Sequence, residues 1–170
     1  MKVIIEGKVW KFGDNINTDL IIAGKYKFDT LNMMELAKHT FEAIRPDFAE
    51  KVKEGDIIVA GRNFGCGSSK EQAPQVLKAL GLKVIVAESF ARIFFRNALN
   101  SGILALECEG ISKAVEEGEI LKVTLDKGVA ENANKGIVLR FKPLPKFLEE
   151  IFMEGGLIPY VKKNKGIKIE

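Results

Sequence analysis

One stretch constrains the fold of this chain more than any other: residues 56–81, DIIVAGRNFGCGSSKEQAPQVLKALG. Its opening apolar run, IIVA, is typical of a strand that is buried on both faces of a sheet. A glycine-rich turn follows, after which apolar residues recur at helical spacing. Ser69 with Gln72, or Ser68 with Glu71, predicts a capping box at the start of that helix. The stretch therefore predicts a strand, a tight turn and a helix in immediate succession.

The turn and the predicted helix start together favour an anionic ligand. The first amides of a helix have no intrahelical acceptor, and the helix dipole adds partial positive charge there. Gly65 and Gly67 allow positive φ angles, so that successive N–H groups can converge on one point. Ser68 and Ser69 add hydroxyl groups, and Lys70 adds a full positive charge. A carboxylate or phosphate group would be stabilised here.

Spacing excludes two common phosphate-binding motifs. A P-loop would need its second glycine five positions after Gly61, where Cys66 stands. A dinucleotide fingerprint would need a third glycine three positions after Gly67, where Lys70 stands. A purely structural alternative stays open, in which the two serines only cap a helix.

Length and composition favour one soluble domain spanning residues 1–170. A net charge of +3 is too small to indicate nucleic-acid binding. The apolar runs are too short to span a membrane, and the first ten residues lack the core of a signal peptide. We therefore expect a cytoplasmic protein.

Metal ligands are scarce in this sequence. It contains two widely spaced cysteines, Cys66 and Cys108, and one histidine, His39. This set is typical neither of a disulfide framework nor of a metal site. We expect no metal ion or iron–sulfur cluster to be held by this chain alone.

Further apolar runs alternate with a helical pattern. They predict strands over 83–88 and 103–106, with a helix over 89–100 between them. A β-α-β-α-β order is typical of a parallel sheet with right-handed crossovers. Arg92 and Arg96 share one face of the predicted helix. Two alternatives are open for both residues: a structural role, in which they pair with Glu88 or with the ends of the sheet, and contact with a ligand. We favour the structural role.

The flanking segments predict antiparallel strands around this parallel centre. Strands are expected over 2–11, over 20–22 and over the alternating segment 119–126, with 136–142 as the partner of the last. These strands would pack as a β layer on the core. A final amphipathic helix is expected over 144–153. The predicted fold class is α/β, with a parallel central sheet and flanking antiparallel strands.

Four blocks of sequence lie in order between Val9 and Lys163: KFGDNINTD, EGDIIVAGRNFGCGSS, AESFARIFFRNALNSG and EGGLIPYVKK. Together they resemble the small subunits of isopropylmalate dehydratase and homoaconitase, in the aconitase superfamily. The resemblance implies a swivelling three-layer β/β/α domain, which agrees with the strand pattern.

The resemblance also implies an activity. Enzymes of this family are hydro-lyases that move a hydroxyl group between neighbouring carbons of a hydroxy acid by dehydration and rehydration. A [4Fe-4S] cluster in a separate large subunit binds the substrate, so the expected partner is that subunit. The isolated chain would be inactive, and the resemblance allows it to self-associate.

Residue roles follow from the same resemblance. Ser68 matches the serine that abstracts the proton next to a carboxylate, while Ser69 and Lys70 match positions that hold substrate carboxylate. Asp19 matches an aspartate placed beside that serine. The family usually has arginine at position 70; Lys70 keeps the charge but lacks the bidentate fork.

Substrate choice in the family depends on a loop that here contains Tyr26, Lys27 and Phe28. Phe28 stands where an arginine accompanies substrates with an extra carboxylate, and an aromatic ring favours apolar burial. Lys25 and Lys27 lie nearby in the sequence, and either could reach a distal carboxylate. We favour isopropylmalate and leucine biosynthesis, with homoaconitase-type or dimethylmalate-type substrates as the alternatives. Two alternatives from other classes are a carboxylate-sensing module without turnover and a structural domain.

Overall fold

Seven strands and eight α-helices make up the described part of the chain, residues 3–26 and 32–166 of a computed structural model. The strands are β1 Ile4–Lys11, β2 Ile57–Ala60, β3 Val84–Ala87, β4 Leu104–Glu107, β5 Ile120–Thr124, β6 Val129–Asn132 and β7 Ile137–Arg140. The helices are α1 Thr18–Ile21, α2 Met33–Ala37, α3 Phe48–Lys51, α4 Gln72–Ala79, α5 Arg92–Asn100, α6 Ile111–Ala114, α7 Lys146–Met153 and α8 Leu157–Asn164.

All seven strands belong to one mixed sheet, in the order β4-β3-β2-β1-β5-β6-β7. The β1–β4 half is parallel, with Ile57 opposite Val84 and Val84 opposite Leu104. The other half is antiparallel, and β1 joins the two by pairing with β5. Every residue of β2 and β3 is buried, which confirms strands covered on both faces.

Successive side chains of the parallel strands enter two different apolar clusters, because they point to opposite faces of the sheet. On one face, Ile58 and Ile85 pack against side chains of α4 and α5. On the other face, Ile57 and Val84 pack against Leu121 and other residues of the antiparallel half. The sheet therefore curls over itself. The layers are antiparallel strands, parallel strands and helices, which confirms the β/β/α prediction.

The prediction of a brief strand over 20–22 is wrong, because residues 20 and 21 belong to α1 and Ile22 is its C-cap. Asn17 caps this helix, since its Oδ1 accepts a hydrogen bond from the Asp19 N–H at 2.8 Å. A run of only three apolar residues does not distinguish a strand from a helical turn, and the asparagine cap decides between them.

The antiparallel pairing was only partly predicted. The segment 136–142 does contain a strand, β7, but it pairs with β6 and not with β5. The short strand β6 lies between β5 and β7 in the chain, and Ala130 and Asn132 are its buried residues. With four residues, one of them an asparagine, it lacks a strand signal strong enough to be recognised.

Candidate active site

The glycine turn after β2 is held by the polar segment that precedes α1. The Gly65 N–H donates to the Ile16 carbonyl at 2.8 Å, and the Thr18 N–H donates to the Cys66 carbonyl at 2.8 Å. The Thr18 hydroxyl in turn donates to the backbone carbonyl of Ser68 at 2.7 Å. Two segments far apart in the sequence therefore fix the backbone of Ser68.

Two glycines are required in this turn by conformation and by space. Gly65 and Gly67 have φ angles of +83° and +92°, in the left-handed region that side chains rarely adopt. A Cβ atom at residue 65 would overlap the Phe94 ring, and one at residue 67 would lie 2.5 Å from the side-chain nitrogen of Asn17. The turn is thus packed between α5 and the cap of α1.

The expected capping box at Ser68 or Ser69 is wrong, because α4 begins only at Gln72. The reason is Pro74, which has no N–H: in a helix starting at residue 69 it would remove an interior hydrogen bond, whereas in the first turn it removes none. Within the described residues, neither serine hydroxyl has a hydrogen-bond partner on the protein. Both hydroxyls are therefore available to a ligand.

Ser68 and Ser69 open onto a cavity of about 370 Å³. Its lining residues come from the first residue of α1, from the glycine turn and the residues that follow it, and from α5 with the residue before it: Thr18, Gly65, Gly67, Ser68, Ser69, Lys70, Ala91, Arg92, Ile93, Phe94 and Asn97. The predicted helix over 89–100 thus starts at Arg92, and its first turn faces the serines. The helix that borders the site is α5 and not the helix that directly follows the serines.

Lys70 contacts α1 and the residue that follows this helix. Its ammonium group forms an ion pair with Asp19 and donates to the Ile22 carbonyl at 3.1 Å. Only 14% of the Lys70 side chain is exposed, against 60% for Asp19. The structure therefore brings Ser68, Ser69, Lys70 and Asp19 into one neighbourhood, with Asp19 reaching it through Lys70.

Tyr26 does not line the serine cavity. Its hydroxyl donates to Glu42, and its ring stacks on His39 with a centroid distance of 3.9 Å. The hydrogen bond to Glu42 raises the pKa of Tyr26. A separate cavity of about 290 Å³ lies here, and Asp19 also lines it. Lys27 and Phe28 lie outside the described residues.

Arg92 lines the serine cavity, although the sequence analysis favoured a structural role for it over contact with a ligand. The expected pairing with Glu88 is wrong, because Glu88 accepts hydrogen bonds from the Gly110 N–H at 2.8 Å and from the Ser112 hydroxyl at 2.7 Å. A signal was available: Arg92 follows β3 as Ser68 follows β2, and loops after neighbouring parallel strands meet at one sheet edge.

No group of three or more His, Cys, Asp or Glu side chains that could hold a metal ion occurs in residues 3–26 and 32–166. Cys66 is half-buried and Cys108 is buried, and both are free thiols. None of the helices in the same two ranges has the length and apolar character needed to cross a membrane.

Comparisons with known proteins point in one direction. The profile of the Aconitase C-terminal domain family matches residues 14–110. The "Isopropylmalate/citramalate isomerase small subunit" of Methanocaldococcus jannaschii is 52% identical over 164 residues, covering 96% of this chain and 97% of that protein. The "3-isopropylmalate dehydratase small subunit 1" of Archaeoglobus fulgidus is 53% identical over 156 residues, covering 92% and 96%.

A solved structure agrees with these relatives. The crystal structure of 3-isopropylmalate dehydratase from Methanocaldococcus jannaschii superposes with a TM-score of 0.90 at 44% sequence identity. The superposition covers 96% of both chains. The fold is therefore shared along nearly the whole length of both chains.

Proposed function

We propose a catalytic role for this chain, which belongs to the small subunits of 3-isopropylmalate dehydratase, a hydro-lyase of the aconitase superfamily. In this proposal it supplies the proton-abstracting serine for the interconversion of 2- and 3-isopropylmalate in leucine biosynthesis. The observation that carries the proposal is the cavity in which Ser68 and Ser69 meet Lys70. We further propose that residues 1–170 act as one swivelling domain.

Ser68 is the proposed general base. Its backbone carbonyl is fixed by Thr18, and its hydroxyl is available in the cavity. A serine hydroxyl gives up its proton only where positive charge and N–H groups stabilise the alkoxide. Lys70 lines the same cavity and contributes positive charge, part of which is offset by its ion pair with Asp19. In the proposed reaction the alkoxide takes the proton from the carbon next to a substrate carboxylate.

Ser69, Lys70 and Asp19 have supporting roles in the proposal. The Ser69 hydroxyl and the Lys70 ammonium hold substrate carboxylate at the cavity wall. Asp19 orients Lys70 through their ion pair. Because lysine lacks the planar fork of arginine, Lys70 contributes a point charge to this grip and no bidentate pair.

The metal chemistry belongs to a partner in this proposal. The small-subunit names of the relatives imply a large-subunit partner, and we propose that a [4Fe-4S] cluster is held there. When bound there, it would act as a Lewis acid on the substrate hydroxyl. The free thiols of Cys66 and Cys108 and an oxygen-sensitive partner suit a reducing compartment, so we propose a cytoplasmic complex.

Isopropylmalate is the proposed substrate, with Tyr26, Lys27 and Phe28 in the loop that selects it. An aromatic side chain at position 28 suits the isopropyl group. Citramalate is a second candidate, because a relative with 52% identity carries the name isopropylmalate/citramalate isomerase. It bears a methyl group where isopropylmalate bears isopropyl, so one apolar pocket could accept both.

The test is anaerobic reconstitution with a cluster-bearing large subunit, followed by dehydration assays on 3-isopropylmalate, citramalate, homocitrate and dimethylmalate. We expect turnover of 3-isopropylmalate. Ser68→Ala should lower kcat by about 10²–10⁴-fold, the usual contribution of a general base, with KM nearly unchanged. Ser101→Ala, at the far end of α5, is the matched control and should keep wild-type kcat.

Three outcomes separate the parts of the proposal. No turnover of any substrate by a stable, cluster-loaded complex would contradict the enzymatic function and favour a carboxylate-sensing module. Full activity of Ser68→Ala would contradict the assignment of the base alone. Preference for homocitrate would keep the chemistry and overturn the role given to Phe28.

A further inference from the structure

The serine cavity contains a second cation that no resemblance assigned, at the first residue of α5. Resting on the function proposed above, we propose that Arg92 binds the substrate carboxylate attached to the carbon that loses its proton to Ser68. The ligand class is thus a hydroxy dicarboxylate, held by Lys70 and by Arg92, both of which line the cavity.

Lys70 alone is poorly placed to hold a dicarboxylate. An ammonium group has three N–H donors. Asp19 and the Ile22 carbonyl each accept one of them, which leaves one for a ligand. The charge of Lys70 is also balanced by Asp19. A dianionic substrate beside Ser68 therefore needs a further cation.

Arg92 meets this need. It lines the cavity together with Ser68 and Ser69, and its side chain is exposed there. Within the part of the chain that the structure describes, no acidic side chain forms an ion pair with it. A guanidinium group can bind a carboxylate through two parallel N–H···O bonds. Arg92 can therefore supply the fork that Lys70 lacks.

Arg96, one turn further along α5, provides an internal contrast. It lines a second groove, with Phe95, Lys142 and Leu148, which Arg92 also borders; of the two arginines, only Arg92 lines the serine cavity as well. Both arginines are exposed and lie on the same helix. Only position therefore distinguishes them.

The chemistry explains why the carboxylate next to the departing proton matters most. As the Ser68 alkoxide takes the proton, the electron pair of the C–H bond moves toward that carboxylate. The pair then forms the C=C bond as hydroxide leaves the neighbouring carbon. Negative charge grows on this carboxylate in the transition state, so a cation bound to it lowers the barrier.

The test compares Arg92→Gln, Arg92→Lys and Arg96→Gln in the reconstituted complex. We expect Arg92→Gln to lower kcat/KM for 3-isopropylmalate by about 10–100-fold, the contribution of a hydrogen bond between charged groups. Arg92→Lys should recover part of this loss, since it restores the charge but not the fork. Arg96→Gln should stay within about twofold of wild type. Thermal unfolding and complex formation are measured for each variant.

A ligand that lacks one carboxylate sharpens the test. The compound 2-hydroxy-4-methylpentanoate, tested as a competitive inhibitor, is 3-isopropylmalate without the carboxylate on the carbon that loses its proton. Its inhibition constant should change by less than about twofold in Arg92→Gln, because the group that Arg92 binds is missing.

Each contrary result has one meaning. Wild-type turnover with unchanged kcat/KM in Arg92→Gln overturns this inference and leaves the proposed function standing. Equal losses for substrate and inhibitor, or loss of the complex itself, also overturn it, because Arg92 would then act through folding or assembly. An inactive wild-type complex contradicts the proposed function, and this inference with it.

Discussion

Gly67 determines where the Ser68 hydroxyl lies, because it is the last residue before the serine and has a φ angle of +92°. A methyl group there would lie 2.5 Å from the side-chain nitrogen of Asn17, the residue that caps α1. We expect Gly67→Ala to reduce kcat of the reconstituted complex at least tenfold, because small displacements of a catalytic group are costly. Steady-state kinetics measures this effect.

Gly118 is the matched control for this substitution. It has a similar φ angle of +85°, but a Cβ atom there would meet nothing within 4 Å. Gly118→Ala should therefore cost only the conformational term, about 1–2 kcal/mol of unfolding free energy, and leave kcat unchanged. If both variants lost the same stability and both kept full kcat, crowding at Gly67 would have no role in placing Ser68.

Among the secondary-structure elements, α6 is capped at its start by the side chain of Glu88, the residue that follows β3. Glu88 accepts hydrogen bonds from the N–H groups of Gly110 and Ser112 and from the Ser112 hydroxyl. Burial opposes ionisation of Glu88, but the bonds from Ser112 and Gly110 outweigh it and hold the pKa below its ordinary value of 4.5. The cap therefore stabilises the fold as a carboxylate.

Removing this cap should destabilise the protein. We expect Glu88→Ala to lower the unfolding free energy by about 1–2 kcal/mol in urea titrations at pH 7. Because the folded-state pKa is depressed, the contribution is present above pH 4.5 and is lost as the pH falls below it. Glu109→Ala, at an exposed neighbouring position, should change stability by less than about 0.5 kcal/mol. Equal effects of the two variants at pH 7 would contradict the capping role.

Elements also differ in how far the sequence determines them. The runs that became β2, β3 and β4 were predictable, because a strand buried on both faces is apolar throughout. β6 was not, because a short half-exposed strand is stabilised by its neighbours and not by its own composition. The glycine turn was recognised from residues that are close together in the sequence. The contribution of α5 to the serine cavity was not, because it depends on β2 and β3 being neighbours in the sheet.

The reactivity of Cys108 can be used to follow unfolding of the whole molecule, because this residue lies where the parallel and antiparallel halves pack together. It belongs to the apolar cluster between the halves, and its thiol donates to the Arg140 carbonyl in β7 at 3.6 Å. Burial, with the nearby Glu88 carboxylate, raises the pKa of Cys108 to about 11. The reactive thiolate therefore forms readily only when the two halves separate.

Thiol labelling should accordingly measure global unfolding. In a Cys66→Ser background, we expect Cys108 to react with a disulfide reagent at pH 8 at least 10³-fold more slowly in the folded protein than in urea. Its rate should rise steeply with urea, in parallel with the unfolding transition. Stability should also fall as pH rises from 9 toward 11, since only the unfolded thiol ionises there, and Cys108→Ala should flatten that slope. Labelling at a rate independent of urea would contradict this prediction, because it would mean that a small local fluctuation exposes Cys108 while the two halves stay packed.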